Sequence, residues 1–189
     1  MAKVKPELDK VGVAPADGKL VWHNDEDIVL SATTYGEWNY QDLKEAGSLK
    51  NFVLHADIGW NSTSGLAGCG FVFRAADGNI KTGAQYKLLL VRLQSAPGWL
   101  VDFFNFGKWL FSLNGNDDLS RAILDQPDSV NKVTLVARGQ NLLTYINGEK
   151  MRQLESNKQS DGAAAFMVDQ ESGTTTCTFS NGWVYALDK

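Results

Sequence analysis

Short runs with a large apolar residue at every second position, separated by clusters of Gly, Asn, Asp and Ser, dominate this chain and point to antiparallel sheet. The clearest run is 51–60, where Phe52, Leu54, Ala56, Ile58 and Trp60 share one side and Val53, His55 and Asp57 the other. Successive side chains of a strand point to opposite faces, so this reads as a core strand with a more polar outer face. Cys69, Phe71 and Phe73 repeat the pattern. Strands at 85–94 and 99–106 flank the break Ser95-Ala96-Pro97-Gly98, and strands at 133–138 and 142–147 flank Gly139-Gln140-Asn141. Asp77-Gly78-Asn79 supplies another turn, and Asn147-Gly148 is a strong signal for a type I′ hairpin turn. Adding 20–22, 28–32, 109–111, 163–168 and 175–187 gives roughly a dozen strands, the pattern of an all-β, two-sheet antiparallel sandwich rather than a parallel α/β fold.

The 189 residues fit a single sandwich domain at 19–189 preceded by an N-terminal extension at 1–18, where Pro6, Pro15 and scattered charges oppose regular pairing. Residues 35–47 are the least regular part of the domain, with a short helical turn expected at 41–46. The net charge of -4 comes from interspersed charges with no run of Lys or Arg, which argues against nucleic acid as a partner. No apolar run approaches the roughly 18–20 residues needed to span a bilayer. Residues 1–10 carry lysines with no apolar segment after them, unlike a secretory signal, so Met1 reads as a cytosolic start or as a boundary within a longer exported protein. Cys69 and Cys177 have neither a CxxC spacing nor a histidine-rich neighbourhood, which disfavours zinc. They read either as two buried thiols or as one disulfide closing a long loop.

The order of segments, and in particular GFVFR at 70–74, N-x-V-x-L-x-x-x-G at 131–139, YINGE at 145–149 and CTFSNGWVYAL at 177–187, resembles that of concanavalin A-like domains. Within that group it is most similar to laminin-G-like modules and the 3-keto-disaccharide hydrolase-like domain. The resemblance covers about residues 20–187 and implies a concanavalin A-like jelly roll. The pairing of GCGFVFR with TTTCTFSNGWVYAL resembles bacterial modules attached to larger surface or signalling proteins. It implies that Cys69 and Cys177 are bridged and that the domain is extracellular or at the cell surface, where disulfides persist.

The resemblance leaves function open, because the fold hosts lectins, glycosidases, adhesion modules and sensor domains. Laminarinase-like relatives carry E-x-D-x-x-E on one strand, since retaining hydrolysis needs two carboxyl groups about 5 Å apart. That spacing is absent, and Glu26, Glu37, Glu45, Glu149, Glu155 and Glu171 all fall in expected turns. His23 and His55 are too few for a multi-histidine metal centre. Calcium is a further candidate through loop oxygens of Asp169-Gln170-Glu171 or Asn116-Asp117-Asp118, although neither has a defined ligand spacing.

The outer faces are more informative. If Tyr86, Leu88 and Leu90 face the core, Lys87, Leu89 and Val91 face out; if Trp99, Val101 and Phe103 face in, Leu100, Asp102 and Phe104 face out. Either assignment leaves an apolar strip outside, to serve as a ligand groove, an interface or a floor beneath another segment. For a sugar groove on the concave sheet, His55, Asp57, Arg74, Lys87, Trp99 and Asp102 are the candidate ligand-binding residues, combining an aromatic platform with polar groups for hydroxyls. Alternatively, Trp99, Trp109 and Phe104 pack the core or a dimer interface. The leading expectation is a non-catalytic module for a glycan or another extracellular ligand. A structural module that forms a homodimer or docks a neighbouring domain comes second, and a glycoside hydrolase-related enzyme third.

Overall fold

The computed structural model describes residues 3–62, 67–93, 96–114, 118–126, 128–170 and 173–188. Among them, strands form two seven-stranded sheets. The first runs β1 (Gly18–His23), β14 (Thr175–Leu187), β4 (Phe52–Ser62), β10 (Val130–Arg138), β11 (Asn141–Ile146) and β12 (Glu149–Glu155), with β2 (Ile28–Ala32) also paired to β14. The second runs β3 (Trp38–Asp42), β13 (Ala163–Gln170), β5 (Ala67–Ala75), β6 (Gln85–Leu93), β7 (Ala96–Asn105) and β8 (Lys108–Ser112), with β9 (Asp118–Leu119) on β7. The pairings are antiparallel and mostly non-local: β4 lies between β14 and β10. The chain thus forms the two-layer sandwich that its period-two pattern requires.

The inner faces follow the alternation. Phe52, Leu54 and Ile58 of β4 meet Phe71 and Phe73 of β5, Tyr86 and Leu88 of β6, and Val101 and Phe103 of β7 in one core. Phe166 of β13 stacks on Phe179 of β14 across the layers, with ring centroids 4.6 Å apart. Cys69 of β5 and Cys177 of β14 form a disulfide with Cα atoms 5.7 Å apart, tying one sheet to the other through a fully buried bridge.

Two segments hold more regular structure than their sequence suggests. The N-terminal part contains a helix, α1 (Val4–Lys10), whose Val4 and Leu8 pack with Val13 onto Val53, Val136, Trp183, Tyr185 and Leu187 on the outer face of the first sheet. Its signal is only one i, i+4 apolar pair, too short to register as periodicity. In the irregular stretch, Trp38–Asp42 pairs with β13 as an edge strand, and the helical turn is confined to a 3-10 turn at Lys44–Ala46. The β6–β7 break is also tighter than expected: Pro97 and Gly98 are paired strand residues opposite Arg92 and Val91.

Candidate functional site

The apolar strip expected outside the core forms the floor of an open groove on the outer face of the second sheet, with a volume of about 620 Å³. Since Leu88, Leu90, Val101 and Phe103 point into the core, period two sends Lys87, Leu89, Val91, Leu100, Asp102 and Phe104 outward. They lie side by side because the register pairs Lys87 with Asp102 and Leu89 with Leu100. Gly68 of β5 keeps the floor low; a Cβ there would sit 3.2 Å from Leu89 Cδ1.

Aromatic side chains form the walls. On one side the β7–β8 hairpin turns at Phe106-Gly107, both at positive φ, and a bulge after Phe103 sets Phe104 opposite Trp109. Trp109 is 53% exposed at the rim. Across the groove stand Trp38 of β3 and Tyr35, which is 84% exposed.

Between the walls lies a charged triad. Lys87, only 3% exposed, has its Nζ 3.2 Å from Asp169 Oδ2, 4.0 Å from the Phe104 ring centroid and 4.5 Å from that of Trp38. The two rings and the carboxylate offset part of what its burial costs. Asp102 accepts a short hydrogen bond from the Ser112 hydroxyl. Burial pushes the Asp102 carboxyl above its ordinary value and repulsion from Asp169 adds to this, against hydrogen bonds from Ser112 and Trp109 and the Lys87 charge.

The loop carrying Tyr35 is held by a carboxylate. Glu37 Oε2 accepts from the Thr33 and Thr34 backbone N–H groups at 2.8 and 3.0 Å, and Oε1 from Asn39 Nδ2 at 3.1 Å. Gly36 N–H donates to the Gln170 carbonyl at 2.9 Å, anchoring the loop to β13. The Thr33 and Thr34 bonds hold the Glu37 carboxyl below its ordinary value, with Asn39 adding to the effect. Its ordering of the loop is therefore present above the ordinary glutamate pKa of about 4.3 and is lost only as pH falls through the depressed value. In an NMR pH titration, the midpoint reported by the Thr33 and Thr34 amides should lie below that ordinary value. A Glu37 midpoint at or above that value would contradict the clamp.

Of the six residues that the sequence suggested for ligand binding, the groove brings together two, Lys87 and Asp102. Trp99 is 3% exposed and packs in the core, because it shares the parity of Val101 and Phe103. Arg74 is fully buried at one end of the sandwich, donating to the carbonyls of Lys50 and Gly139 at 2.7 and 2.8 Å. His55 and Asp57 lie on the outer face of the other sheet. There His55 stacks on Trp183 with centroids 5.0 Å apart, its Nδ1 is 2.8 Å from Thr134 Oγ1, and Asp57 accepts from Asn181 Nδ2 at 2.8 Å.

The groove adds Tyr35, Trp38, Trp109 and Asp169. Trp38 and Tyr40 do show an i, i+2 alternation, interrupted by polar residues. Asp169, considered above only as a calcium ligand, is the ion-pair partner of Lys87, and Gln170 hydrogen-bonds Thr175. Glu171, Asn116 and Asp117 lie outside the described residues. Among the described residues no three His, Cys, Asp or Glu side chains are grouped to hold a metal ion. Two carboxylates do share this sheet face: they are aspartates from β7 and β13, strands separated by β5 and β6, so no motif on a single strand reveals them.

In sequence, no family model and no curated protein matches the chain. In structure, it is similar to the carbohydrate-binding module CBM66 from Bacillus subtilis, at 14% identity and TM-score 0.58 over 90% of this chain and 96% of that one. It is also similar to a functionally unknown protein from Saccharomyces cerevisiae, at 12% identity and TM-score 0.59 over 90% and 97% of the two chains. The catalytic domain of an endo-1,3-beta-glucanase (laminarinase) from Thermotoga petrophila RKU-1 follows at 9% identity and TM-score 0.57, over 88% and 79%. With them the chain shares the fold, a two-sheet antiparallel jelly roll.

Proposed function

We propose that this domain is a non-catalytic glycan-binding module whose ligand lies along the groove of the second sheet. The observation that carries the reading is the combination of exposed rim aromatics, Trp109 and Tyr35, with the fixed polar triad of Lys87, Asp102 and Asp169 at the centre of an open cleft. Aromatic faces take the apolar C–H face of a sugar, while carboxylates and an ammonium orient its hydroxyls. A groove lined on one side of the sheet and open to solvent admits a chain rather than enclosing a small cofactor. The buried disulfide favours an oxidising compartment, and so an extracellular or cell-surface setting. Among the described residues no helix is long and apolar enough to cross a membrane.

Trp109→Ala should weaken binding to the preferred polysaccharide about tenfold or more, roughly 1.4 kcal/mol, with the thermal unfolding midpoint nearly unchanged. Affinity electrophoresis or calorimetry against a polysaccharide panel measures this. Equal affinity in the folded variant would remove the groove as the site.

The two groove carboxylates favour glycoside hydrolysis as the second reading, since burial raises Asp102 toward the protonated form that a general acid needs. Release of reducing ends by the wild type, abolished in Asp102→Asn, would put that reading first.

A further inference from the structure

The lining of the groove also bears on the class of glycan, provided that it binds glycans at all. Lys87 is the single Lys, Arg or His among the described lining residues, against Asp102 and Asp169. Lys87 is buried, paired with Asp169 at 3.2 Å and enclosed by the Trp38 and Phe104 rings, so its charge is already committed within the wall.

A ligand carboxylate or sulfate entering the cleft would lose water and meet the Asp102 and Asp169 carboxylates, with the one ammonium of the described lining already engaged by Asp169. A neutral sugar meets the opposite situation. Its hydroxyls donate to the carboxylate oxygens in charge-assisted hydrogen bonds, and its C–H face rests on the rim aromatics. We infer that the groove favours neutral sugars over uronate and sulfated chains, with Asp169 as the residue that sets this selectivity by holding both the local negative charge and the Lys87 ammonium.

The test compares neutral glucan, mannan and galactan with their C6-oxidised uronate counterparts of the same linkage, at physiological ionic strength, using the full 189-residue chain with its disulfide intact. The neutral member of the pair that binds should be favoured at least tenfold. Asp169→Asn, which frees Lys87, should shrink that ratio several-fold. Asp102→Asn serves as the second variant should the first not fold, as judged by circular dichroism. Glu155→Gln on the exposed β12, facing away on the other sheet, changes the net charge by the same amount and should leave the ratio unchanged. Equal or tighter uronate binding by the wild type overturns the inference. So does a ratio that Asp169→Asn and Asp102→Asn leave intact, since selectivity then comes from bulk charge. Retention of no polysaccharide in the panel overturns the glycan-binding reading itself, and the inference with it.

Discussion

Replacing Cys69 and Cys177 together by alanine should lower the unfolding free energy by about 4 kcal/mol, the largest change expected from removing two small side chains from this chain. The bridge spans 108 residues, and on the loop-entropy account a cross-link closing roughly 100 residues contributes about 4.7 kcal/mol by restricting the unfolded chain. Few pairs could do more here, because the cross-link joins β5 of one sheet to β14 of the other, so that its loss releases the packing of the two layers as well as the chain. Total stabilities of domains are about 5–15 kcal/mol, so the variant is expected to be marginal at physiological temperature. Both sulfurs are fully buried, so thiol reductant should act on the native protein only after it opens, and much faster in denaturant. Chemical denaturation of the two forms measures the difference; a loss under about 1 kcal/mol would show that the bridge constrains little that packing does not already hold.

Arg74→Met should cost on the order of 3 kcal/mol, although it removes no contact to solvent and no groove residue. The guanidinium sits at the end of β5 and reaches from the second sheet to carbonyls that belong to the first: Lys50, just before β4, and Gly139, in the β10–β11 turn, with Gln159 at 3.5 Å beyond them. Desolvation by burial lowers the Arg74 pKa from its ordinary value, with the charges of Tyr86 and Asp161 acting the other way. Methionine fills much of the volume but leaves those carbonyls without a donor, each at about 1–3 kcal/mol if water cannot reach it. Arg74→Lys should recover part of the loss, since an ammonium can serve one carbonyl but not the fork. Thermal melts of the three forms give the ranking, and groove affinity should stay constant across the folded ones. A Met variant as stable as the wild type would mean that water or backbone shifts satisfy the carbonyls.

Arg74 also shows where reading a sequence by parity fails. Phe71 and Phe73 point inward, so Arg74 should face out; instead its backbone takes φ +52°, and the β5–β13 register slips beside it, which turns the side chain toward the end of the sandwich. Bulges depend on the partner strand, and no period within one strand encodes them. His55 and Asp57 fail differently. Their outward orientation is read correctly, but alternation says only in or out; which of two sheets carries the strand is decided by pairing of β4 with β14 and β10, far away in sequence. Trp99 reads as the platform and Trp109 only as a core or interface residue, whereas the register puts Trp99 inside and Trp109 on the rim. Lys87 and Asp102 were legible because each sits in a strand whose inner residues are large and apolar. Asp169 was not, since it reaches Lys87 from β13 across β5.

The most direct test of the groove is an NMR titration of the isotopically labelled domain with the neutral oligosaccharide that binds it most tightly. The indole N–H signals of Trp38 and Trp109 and the backbone amides of Lys87 and Asp169 should shift with ligand, while Trp183, His55 and Thr134 on the opposite face stay in place. Shifts centred on Trp183 and His55, or no shift at saturating sugar, would contradict the assignment of the second sheet as the binding face.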